Sequence, residues 1–137
     1  LGRRRVGRWE HAQTTGRLAG ENMTGGRKTF WYQSSSFTKI APNVLLNAVG
    51  DTDSRHETVS VFAKDGGEQY DRGVVFYAKD GKIVGVVLVN LIGSGIDVAR
   101  RLIDDERKVT DYKEVAKLFP LYKNEEPEEQ KEEAKKE

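Results

Sequence analysis

Residues 83–89 read Ile-Val-Gly-Val-Val-Leu-Val, a run without a polar side chain, and Asp80-Gly81 stands just before it. A short run so rich in β-branched residues reads as a strand rather than a helix. Being apolar on both faces, it predicts a central strand covered on both sides. Asp-Gly is a strong two-residue hairpin signal, because Gly accepts the positive φ that a type I′ turn requires. The run therefore pairs antiparallel with the strand-like stretch 73–79, and a chain built around this hairpin is committed to a sheet.

Three further strand-like runs lie at 30–34, 44–50 and 58–64, and the central run extends over 82–91. Val59, Val61 and Ala63 alternate with more polar neighbours, as a half-buried strand would. Residues 8–23 read as a helix whose stripe is Ala12, Gly16, Ala19, Gly20 and Met23, stopped by Gly25-Gly26. Gly16 and Gly20 each cost about 1 kcal/mol relative to Ala in a helix interior. A stripe of such small residues suits close approach by another backbone or a ligand, so this is a docking helix whose partner need not lie in this chain. Ser94-x-x-Asp97 opens a second helix over 96–103, with Ile96, Ala99, Leu102 and Ile103 on one face. Thr110 or Asp111 caps a third, with the stripe Tyr112, Val115, Ala116 and Phe119 ending before Pro120. Strands followed by helices, with a hairpin as the clearest pair, predict an α+β domain with a mostly antiparallel sheet.

Composition bounds what such a domain can do. The 137 residues suffice for one compact domain, which buries roughly 65–70% of its unfolded surface. No apolar run reaches the ~18 residues of a membrane span. The absence of Cys excludes a disulfide scaffold, a thiolate zinc site and a Cys nucleophile, and two His leave little for a metal site, so none is expected. The net charge of +1 hides an asymmetry: residues 1–40 carry eight Lys/Arg against two acids, and residues 123–137 carry four Lys against seven Glu. The end segment 123–137 reads as an acidic disordered tail, with a short exposed helix from Glu128 onward as the other reading.

Several local features invite a functional reading and have a plainer one. Gly93-Ser94-Gly95 precedes a helix but lacks the G-x-G-x-x-G spacing and a P-loop Lys, so it reads as a turn and cap. Ser34-Ser35-Ser36 has no flanking Gly and is no nucleophile elbow; it reads as polar loop. His56 lies in a turn-rich polar segment and reads as a solvated side chain. Arg3, Arg4 and Arg5 could hold phosphates, and otherwise form an ion-pair cluster or a solvated arm. Trp9, Phe30, Trp31, Tyr32 and Phe37 could stack on a planar cofactor, although aromatics fill cores more often. No catalytic residue is assigned.

The segments Leu1-Gly2-Arg3-Arg4-Arg5-Val6 and Gly16-Arg17-Leu18-Ala19-Gly20-Glu21-Asn22-Met23-Thr24-Gly25 resemble the apoptosis-inducing factor family of mitochondrial flavoproteins, where the FAD-binding domain passes into the C-terminal domain. Trp31-x-Gln33-Ser34, Gly73-Val74-Val75-Phe76-Tyr77, Val84-Gly85-Val86-Val87-Leu88-Val89-Asn90 and Glu114-Val115-Ala116-Lys117-Leu118-Phe119 continue the resemblance in order. It implies an antiparallel sheet of about five strands with helices packed on it, the dimerisation-like C-terminal domain of FAD/NAD-linked reductases. By this resemblance, 1–26 is the end of the FAD-binding domain, 27–122 the reductase-type C-terminal domain and 123–137 the tail.

The resemblance also implies FAD and NADH in an oxidoreductase parent, with neither bound by this chain alone, which is expected to be inactive. It places Arg8, Trp9, His11 and Phe37 at the cofactor face. Gly7 and Arg8 stand where the family has Glu-His, Ser36-Phe37-Thr38-Lys39 stands where it has Phe-Trp-Ser-Asp, and the family's long polar insertion shrinks to about 65–71. The implied partners are the parent's FAD-binding domain and a mitochondrial import partner that adds a strand to the sheet edge. The implied location is the intermembrane space, with the nucleus or cytosol after apoptotic release. The alternative is a partner- or DNA-binding module acting with a nuclease in chromatin degradation, in which Arg3, Arg4, Arg5, Arg27 and Lys28 meet nucleic acid.

Overall fold

In a computed structural model, residues 5–40, 42–64, 71–91 and 93–121 are described. The order of elements is α1 (Trp9–Met23), β1 (Ser35–Ile40), β2 (Val44–Gly50), β3 (Glu57–Phe62), β4 (Gly73–Lys79), β5 (Lys82–Val89), α2 (Gly95–Asp104) and α3 (Tyr112–Ala116). The five strands form one antiparallel sheet in the order β1-β2-β5-β4-β3, so the all-apolar run is its middle strand, as its composition requires. The β4–β5 turn has φ of 54° at Asp80 and 75° at Gly81, the pair of positive angles expected of a type I′ hairpin.

Register sorts the side chains onto two faces. One face carries the rows Val49, Val86, Phe76 and Phe37, Asn47, Leu88, Val74. Onto it pack Ala99 and Ile103 of α2, Ala116 of α3, and Phe119 and Leu121 beyond it. Phe76 anchors the contact, its ring centroid 5.7 Å from that of Tyr112 and 6.0 Å from that of Phe119. The other face presents Ala48, Val75, Val87 and Val89, which are only half-buried. The expectation that the central strand is covered on both sides is thus corrected: α2 and α3 lie on one side only.

A register shift at Tyr77/Ala78 leaves Val84 as the extra residue of a bulge. The shift turns both Ile83 and Val86 inward, although they are three residues apart. Gly85 sits where the backbone of Asp51 passes, and a Cβ there would meet the Asp51 carbonyl. Its place in the sheet is therefore tied to the loop after β2, whose Asp51 N–H donates to the Val84 carbonyl at 2.8 Å.

The first strand lies at Ser35–Ile40, not at 30–34. Propensity favours the aromatic run, but Pro42-Asn43 makes the turn, and pairing backward from Val44 assigns the ladder to Ile40, Lys39 and Thr38. The third strand spans Glu57–Phe62 and the fifth ends at Val89, both short of the runs read from sequence. Asn90, at φ 53°, ends β5 by turning back. Its Oδ1 accepts from the Leu45 N–H at 2.7 Å and its Nδ2 donates to the Asp71 carbonyl at 2.7 Å.

Helix ends follow local chemistry. Past α1, the Gly26 N–H bonds the Glu21 carbonyl and the Gly25 N–H that of Asn22, the paired bonds of a Schellman stop. Asp111 caps α3 by accepting from the Lys113 and Glu114 N–H groups. Ser94 precedes α2, but its side chain makes no cap bond, so the capping reading from Ser94-x-x-Asp97 holds only for its backbone. The tail 123–137, its alternative helix, and residues 65–70 of the shortened insertion fall outside the described residues.

Candidate functional site

The first turn of α1 lies against the start of the β1–β2 hairpin and borders a depression of about 360 Å³. Arg8, Trp9, Phe37 and Asn47 line it, with Ile96 of α2 among its walls. Trp9 is 77% exposed and Phe37 64% exposed. Asn47 is the opposite case: it is buried, belongs to the row between Phe37 and Leu88, and its amide has no side-chain hydrogen bond among the described residues. Two open rings beside an amide donor and acceptor suit the edge of a flat, hydrogen-bonding heterocycle.

A second depression of about 410 Å³ shares Gly7 and Arg8 with the first and is lined by Arg5, Ser34, Asp51 and Asp53. Its wall is ion-paired. Arg55 Nη2 lies 2.6 Å from Asp53 Oδ2, and their hydrogen bonds hold the Asp53 carboxyl well below the usual carboxylate range. His56 is not the solvated side chain read from sequence; it is half-buried, with Nε2 3.2 Å from Asp51 Oδ2.

Beneath the first depression α1, α2, β1 and the segment leading into β1 meet in one polar cluster. Glu10 of α1 accepts from the Tyr32 hydroxyl and from the hydroxyl and N–H of Ser35. Arg100 of α2 places Nη2 3.2 Å from Glu10 Oε1 and 2.6 Å from the Tyr32 oxygen, and its guanidinium lies 5.0 Å from the Tyr32 ring centroid. Burial pushes the Glu10 carboxyl up, but hydrogen bonds from Ser35 and Tyr32 and the charge of Arg100 outweigh it, and the carboxyl sits below its ordinary value. The Tyr32 hydroxyl moves the other way, raised by burial and then by its bond to the Glu10 carboxylate.

The residues singled out from sequence come together only in part. Arg8, Trp9 and Phe37 share the first depression, whereas His11 turns away, with Nδ1 2.7 Å from Ser34 Oγ and its ring edge-on to Phe30. The serine triplet is loop only at Ser34: Ser35 and Ser36 belong to β1, and all three are half-buried. The core reading of the aromatic group is also corrected, since Trp9, Trp31, Phe37 and Phe30 are all exposed and Tyr32 sits in the polar cluster. Of the basic residues, Arg3 and Arg4 lie outside the described residues, and Arg5 borders the second depression. Arg27 follows α1, and Lys28 pairs with Glu21 at 2.7 Å.

Sequence reasoning passed over Asn47 and Arg100 and set Ser35 aside as polar loop. Asn47 carries a legible signal, being the one polar side chain in the strand Val-Leu-Leu-Asn-Ala-Val. Arg100 carries none, because a charged residue beside an apolar helical stripe is ordinarily solvated. Among the described residues no cluster of three or more His, Asp or Glu is arranged to hold a metal, and no helix is long and apolar enough to cross a membrane.

The sequence matches the family model described as apoptosis-inducing factor, mitochondrion-associated, C-term, over residues 19–69 and 64–105. A Drosophila melanogaster protein named for mitochondrial apoptosis-inducing factor 1 is 33% identical over 89% of this chain. The mitochondrial apoptosis-inducing factor 1 of Dictyostelium discoideum is 34% identical over 80% of it. In both cases the match covers 22% of the relative's own length. Family match, strand order and helix placement agree, and the chain belongs to the apoptosis-inducing factor C-terminal family.

Proposed function

We propose that this chain is the sheet-bearing C-terminal part of an NADH-dependent flavoprotein oxidoreductase, and that its first depression closes one side of the flavin and nicotinamide site. The observation that carries the reading is the lining of one depression by the Asn47 side chain together with the exposed rings of Trp9 and Phe37. These residues fit FAD. Asn47 can donate to or accept from a ring edge, Phe37 and Trp9 offer faces for stacking, and Arg8 brings a positive charge. A depression of this size holds only part of a dinucleotide, so the remaining contacts come from the upstream FAD-binding domain. Bound flavin would supply hydride acceptance and electron transfer, chemistry that is the cofactor's own. This chain's residues would shield the ring from water and fix its edge.

The same reading makes α1 the last helix of the FAD-binding domain, which agrees with its having no buried residue. It places the parent in the mitochondrial intermembrane space, with roles in mitochondrial maintenance and caspase-independent cell death. The sheet edges β1 and β3 would be available to an import partner by strand addition. The test uses the longer protein that carries this chain. Phe37→Ala and Asn47→Leu should each shift the flavin absorption bands and slow reduction by NADH. Unchanged bands and unchanged reduction in both folded variants would refute the reading.

A further inference from the structure

No residue of α1 is buried, so the apolar core does not hold this helix in place. Its first turn is nevertheless fixed to β1, α2 and the segment before β1 through Glu10, which meets Tyr32, Ser35 and Arg100. Arg100 is the member that ties the group together: Nη2 reaches Glu10, Tyr32 and Ser35, and the guanidinium stacks on the Tyr32 ring. Its Nε is buried without a hydrogen-bond partner among the described residues.

We infer that Arg100 is a positioning residue for α1. It holds Glu10, and through Glu10 it sets where Trp9 stands relative to Phe37 across the depression, while contributing little to the sheet itself. α2 spans Gly95–Asp104 and buries Gly95, Ala99 and Ile103 against the sheet, so Arg100 reaches α1 from a firmly seated base. A guanidinium suits the task because its plane can stack on the Tyr32 ring while the N–H groups of Nη2 are held toward the oxygens of Glu10, Tyr32 and Ser35, whereas an ammonium is a movable point charge. This inference concerns the chain's own joint and stands whichever molecule covers α1.

The experiment is amide hydrogen exchange on the 137-residue chain, comparing residues 9–23 of α1 with residues 83–89 of the central strand. Arg100→Met keeps much of the stem packing and removes the fork. Exchange in α1 should rise about tenfold, the size expected for losing one charge-assisted hydrogen bond, and exchange in 83–89 should stay within about twofold. Arg100→Lys should fall between wild type and Arg100→Met. Glu10→Gln removes the partner from the other side and should loosen α1 in the same way, with the double variant little worse than either single one. Unchanged α1 exchange in Arg100→Met and Glu10→Gln would overturn the inference. So would a parallel rise in both segments, which would mark Arg100 as a support of the whole fold.

Discussion

Glu10 and Arg100 stand ninety residues apart in the chain, and in the fold they form an ion pair of 3.2 Å that joins the first helix to the second. The Glu10 carboxyl is lowered from its ordinary value of 4.5 despite the burial that opposes the shift. A carboxyl depressed in the folded state stabilises the fold above its unfolded value, and that contribution disappears as pH falls through the folded value. The stability difference between wild type and Glu10→Gln should therefore be constant above about pH 5.5 and shrink once pH drops below about 4.5. Denaturant titrations of the two proteins across pH 3–7 would show it. A difference that stays constant down to pH 3 would mean that the pair does not stabilise the charged carboxylate.

Gly85 is required by contact. A methyl group there would strike the Asp51 carbonyl, and the bulge fixes both backbones. Gly85→Ala should destabilise the chain by about 3 kcal/mol, the upper range for overpacking a well-ordered site. Equilibrium unfolding in urea measures this directly.

The two short helices make a matched pair of cap tests. Asp111 accepts two backbone N–H groups at the start of α3, whereas the Ser94 side chain accepts none at the start of α2. Asp111→Ala should cost about 1 kcal/mol, and Ser94→Ala less than about 0.5 kcal/mol. The same unfolding assay separates them, and equal costs would contradict the hydrogen bonding seen here.

The sequence contains no G-x-G-x-x-G segment to receive a pyrophosphate, and the depression by α1 holds only part of a dinucleotide. Titration calorimetry with FAD or NADH should give no binding heat at micromolar concentrations. Saturable binding at that level would show that the isolated chain carries a full cofactor site.

Much of the fold was legible because its signals are local. The Asp80-Gly81 turn, the all-apolar run that became β5, the Gly25-Gly26 stop and the Asp111 cap each depend on neighbours within a few residues. The first strand was misplaced because aromatic propensity at 30–34 competed with a ladder set by the Pro42-Asn43 turn and its partner strand. For the candidate site, Trp9 and Phe37 could be picked out as aromatics near a docking helix. Asn47 showed only as the lone polar side chain of an apolar strand, and Arg100 could not be assigned, because what distinguishes it is what surrounds it.

By itself, the sequence determined an antiparallel α+β domain whose central strand starts at Lys82, since period, turn chemistry and apolar runs act at short range. Only the tertiary structure decided that one sheet face carries the helices while the other stays half-buried. It also decided that Asn47 joins Trp9 and Phe37 at one depression and that Glu10 and Arg100 meet across α1 and α2. Those outcomes depend on packing and on charges brought together from distant segments, where burial changes what a hydrogen bond or an ion pair is worth.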